Sequence, residues 1–156
     1  MKNLYSLGNK GTPLFILPNT EFESWKTQQS DFIEAWLEST SFNGHGLTLL
    51  PDDKTGKVFQ AVYFVEDITS YWQCGDLASL LPKGEYIFQG DAQHRELVAF
   101  GWALGAYQFD SYKKNTQPKA KLIVECQQEL KKYQDLVQSI ILVRDLVNTP
   151  AIDMMP

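Results

Sequence analysis

The chain has 156 residues, 44% of them hydrophobic and 21% charged, which supports one packed domain and excludes a disordered or low-complexity protein. Its net charge of −5 offers no general attraction for a phosphate backbone or an anionic lipid surface, so neither nucleic acid nor membrane is an expected partner. Cys74 and Cys126 lie far apart without CxxC or Cys/His spacing, and no N-terminal apolar run or bilayer-length stretch occurs. These features predict a soluble cytoplasmic protein with both thiols reduced and buried.

In chain order, the first apolar run, Pro13 to Pro18, reads as a strand. Asp31 to Leu37 has helical period, with Ser30 as N-cap and Phe32, Ile33, Trp36 and Leu37 on one face. Leu47 to Leu50 and Lys57 to Val65 flank the turn Pro51 to Gly56 and predict a hairpin. In its second arm, Val58, Val62 and Phe64 share one face while Phe59, Ala61, Tyr63 and Val65 share the other. A strand apolar on both faces belongs inside a sheet covered by helices on both sides.

A short helical segment near Gly75 to Leu81 ends at Pro82, and Gly84 to Phe88 predicts another strand. The long helix that follows, about Ala92 to Phe109, aligns Leu97, Gly101, Leu104 and Gln108 in one row and Val98, Trp102, Gly105 and Phe109 in the next. Each glycine costs about 1 kcal/mol against alanine there, so close approach of this helix to the sheet is expected. Lys121 to Val124 is the last predicted strand and Gln127 to about Val147 the last helix. Leu130, Tyr133, Val137 and Ile140 give that helix one stripe, but Ile140 to Val143 is apolar all round and calls for a second partner. The fold class is α/β, one mixed sheet with helices on both faces.

Catalytic chemistry needs clustered titratable groups or ligand spacings, and the sequence offers few. His45 between Gly44 and Gly46, and His94 at a helix start, have no HxxxH or HxxE spacing, so both read as solvated. Asp52-Asp53 lacks the donors at two-residue steps of a calcium loop, and it and Glu66-Asp67 read as turn chemistry. A Cys126–His94 nucleophile pair has nothing in the sequence to support it. The basic clusters Lys113-Lys114 and Lys119 to Lys121 read as solvated surface, and no glycine-rich phosphate cradle occurs. No residue is assigned a catalytic, cofactor-binding or metal-binding role.

Two stretches carry a resemblance. "LVRDLVNTPAIDMMP", residues 142–156, resembles the segment joining the N-terminal domain of the leucine aminopeptidase (cytosol aminopeptidase) family to its catalytic domain, with its Arg-Asp-Leu-x-Asn-Thr-Pro core. "GWALGAYQFDSYKK", residues 101–114, is similar to the same family's small-residue helix ending in Tyr-x-Phe-Asp-x-Tyr. Residues 1 to about 90 resemble the short variant of that N-terminal domain in their LLP and LP-G-Y landmarks. Ala151-Ile152 departs from the family's Ala-Asn, and the metal-binding and catalytic motif Asn-Thr-Asp-Ala-Glu-Gly-Arg is absent.

The resemblance implies a macro-domain-like fold for a non-catalytic domain at 1–147, with 148–156 starting a linker to an absent catalytic domain. It implies a parent that removes N-terminal residues from peptides with two divalent ions, zinc or manganese, as a hexamer. This segment would hold no cofactor. Its implied partners are its own catalytic domain and neighbouring subunits, and its implied role is assembly and shaping access to the active site. The alternatives are a free-standing macro-like small-ligand or adaptor module and an independent hydrolase.

Overall fold

The computed structural model describes residues 4–106 and 120–148. Its strands are β1 (Tyr5–Leu7), β2 (Thr12–Pro18), β3 (Gly46–Pro51), β4 (Val58–Val65), β5 (Gly84–Phe88) and β6 (Ala120–Val124). Helices α1 (Phe22–Lys26), α2 (Asp31–Ser39), α3 (Leu77–Leu80), α4 (Ala92–Gly105) and α5 (Gln127–Asn148) connect or follow them, with 3-10 turns at Asn19–Glu21 and Tyr71–Cys74.

The sheet runs β1-β6-β5-β2-β4-β3. Neighbours are parallel except for β3, which returns against β4 as the predicted hairpin. Strand alternation then divides the core in two. Leu14 and Ile16 of β2 and Ala61 and Val65 of β4 join Val98, Ala99 and Trp102 of α4 and Leu130, Tyr133 and Val137 of α5. Val62 and Phe64 point the other way, onto Phe22 of α1 and Ile33 and Leu37 of α2. The mixed α/β sheet with helices on both faces is thus present, and β4 is covered on both faces from Ala61 to Val65 as its sequence predicts, whereas Val58 and Phe59, beside the register shift at Leu50/Pro51, are 40% and 44% exposed.

Helix starts follow their caps. The Ile33 amide donates to Ser30 Oγ at 3.4 Å, and the His94 amide to Asp91 Oδ1 at 2.9 Å. Residues 8–11 cross the sheet face opposite α4 and α5, where the Gly8 amide donates to the Val124 carbonyl at 3.1 Å. A Cβ on Gly11 would lie 2.8 Å from the Glu85 carbonyl oxygen and collide with Ile123, so glycine lets this crossing lie flat.

Three expectations need correction. Phe32 and Trp36 are 42% and 37% exposed, because α2 buries only the narrower Ile33–Leu37 stripe. Trp36 reaches sideways instead, its Nε1 donating to the Leu49 carbonyl on the edge strand β3 at 3.0 Å. Gly105 faces no strand: an added Cβ there would meet the backbone of Gly75, 2.6 Å from its Cα, between the second 3-10 turn and α3. Cys126 is exposed while Cys74 is buried, since Cys126 sits just ahead of α5 and accepts a hydrogen bond from the Glu129 amide.

Candidate functional site

The strongest candidate is a surface on α4 and α5. The first half of α5 is anchored: Leu130, Tyr133 and Val137 are buried, and the Tyr133 ring lies 5.6 Å from that of Tyr5. The Tyr5 hydroxyl donates to the Ala99 carbonyl of α4 at 2.7 Å, and burial pushes its pKa up, so it remains a donor. Burial, then the carboxylates of Glu129 and Glu96, pushes the Tyr133 hydroxyl up to about 12. Lys132 meets Glu96 at 2.6 Å and Arg95 meets Glu125 at 3.6 Å, tying α5 and the end of β6 to α4 along the rim.

The second half of α5 loses this cover. Ile140 and Ile141 still rest on the core, but Leu142, Val143, Leu146 and Val147 are 62%, 59%, 55% and 79% exposed. Their spacing of one and four residues makes a single strip along the helix. Between it and α4 lies an apolar groove of about 280 Å³ lined by Leu104, Ser139, Ile140, Val143 and Arg144. Arg144 Nη1 donates to the Leu104 carbonyl at 3.3 Å, placing a cation at the negative C-terminal end of α4. Leu142, Val143, Leu146 and Val147 thus form a contiguous exposed apolar strip of the kind that marks interaction surfaces.

The residues considered for chemistry are scattered. His45 is exposed, its Nδ1 2.8 Å from Asn19 Nδ2, and is presented by Gly44 and Gly46, both at φ +80°. Asp52 Oδ1 accepts from the Thr55 amide at 2.8 Å and its hydroxyl at 2.9 Å, which lowers its pKa, and Asp67 is lowered likewise by the Thr69 hydroxyl and amide. Both close turns, as predicted. His94 Nδ1 lies 2.8 Å from Asp91 Oδ2 and Cys126 Sγ accepts from the Glu129 amide, so each has a partner within its own helix start. Burial pushes the Cys74 thiol up to about 11, which keeps it protonated and unreactive. Among the described residues no group of three His, Cys, Asp or Glu is arranged to hold a metal, and no helix is long and apolar enough to cross a membrane.

The two resemblance motifs meet in space. Leu104 belongs to the first and Arg144 to the second, 40 residues apart and joined by the hydrogen bond above. Residues 107–114 and 149–156 of these motifs, with Lys113, Lys114 and Lys119, lie outside the described residues; Lys121 is half-buried in β6. Residues 12–125 match the family described as M17 aminopeptidase, N-terminal domain.

The chain belongs to this family. Its fold resembles a cytosol aminopeptidase from Coxiella burnetii with TM-score 0.85 and 29% identity, over 97% of this chain and 34% of that one. A tomato leucine aminopeptidase mutant, at TM-score 0.61 and 13% identity over 97% of this chain and 39% of that one, shares the fold. The M17 N-terminal domain described here therefore spans little more than a third of the solved aminopeptidases it matches. No curated protein sequence matches it.

Proposed function

We propose that this chain acts as the N-terminal, non-catalytic domain of a two-metal leucyl aminopeptidase, with residues 1–147 forming the domain and 148–156 beginning the linker. The observation that carries the reading is the apolar strip Leu142, Val143, Leu146 and Val147, which lies on the last turns of α5 beside that linker. Its occupant is the catalytic domain, which holds the zinc or manganese ions and hydrolyses the peptide. This domain contributes assembly contacts within a cytoplasmic homo-oligomer and shapes the approach to the active site. The match over nearly the whole chain to about a third of a cytosol aminopeptidase supports the division of labour.

The test compares the 156-residue chain with the product of its whole reading frame, using leucine p-nitroanilide with zinc or manganese. The longer product is expected to hydrolyse the substrate, the chain alone not, and amides of 142–147 to exchange more slowly in the longer product. Hydrolysis by the chain alone, or a reading frame that ends at Pro156, overturns the reading.

A further inference from the structure

We draw no further inference here: the strongest candidate, the groove of about 430 Å³ between α4 and the first half of α5 lined by Leu97, Phe100, Tyr133 and Leu136, is an apolar face for which nothing in the structure shows what covers it.

Discussion

At Gly105 one missing carbon decides a packing arrangement. A side chain there would enter the backbone of Gly75, and backbone cannot swing aside as a flexible side chain can. Helix propensity alone predicts that Gly105→Ala stabilises by about 1 kcal/mol. Overpacking should reverse the sign, giving a net loss of about 1–3 kcal/mol, read as a lower midpoint in urea unfolding. The need for closeness was legible in the glycine spacing of α4. Its partner was not, because the helical segment that Gly75 precedes is only four residues long and its spacing says nothing about what it packs against. The two thiols make a second residue-scale contrast: Cys126 should react with an aromatic disulfide reagent in the native protein, and Cys74, buried and protonated, only after unfolding. Equal reaction of both in buffer would refute this.

Among the elements, those with strong local signals were read best. Ser30 and the Ile33–Leu37 stripe placed α2, and Gly84 to Phe88 placed β5. The exposed Phe32 and Trp36 were misread because period alone says which residues share a face, not how wide a face the short helix can cover. The start of α4 carries a pH prediction. Hydrogen bonds from the His94 amide and then its side chain hold the Asp91 carboxyl below the usual carboxylate range. Protonation is thus easier in the unfolded chain, so the contribution is present above the unfolded value of about 4 and is lost as pH falls through the lower folded value. Asp91→Asn keeps a capping side chain without that titration. Its stability should fall less steeply than that of the parent protein below pH of about 4, measured as urea midpoints across an acid series.

For the whole molecule, the layer arrangement was legible and the strand order was not. Two-sided apolar character identified β4 as an inner strand, but nothing local says that β1 lies beside β6, a pairing fixed by residues more than 110 apart, such as Tyr5 and Leu122. The candidate surface was half legible. The all-apolar run Ile140 to Val143 called for a second partner, and the fold shows which side is left over: Ile140 and Ile141 lean inward while Leu142, Val143, Leu146 and Val147 stay out. Such a strip cannot remain indifferent to solvent. The 156-residue chain should bind an apolar fluorescent dye or dimerise with rising concentration. Leu146→Glu with Val147→Glu should suppress both while leaving the urea midpoint nearly unchanged, because neither side chain is in the core. Amide exchange adds position: the buried Leu130 to Val137 turns should open only with large-scale unfolding, whereas 142–147 should exchange faster through local opening. Uniform protection along α5, with no dye binding and a monomer at all concentrations, would mean the helix end is satisfied as it stands and docks nothing.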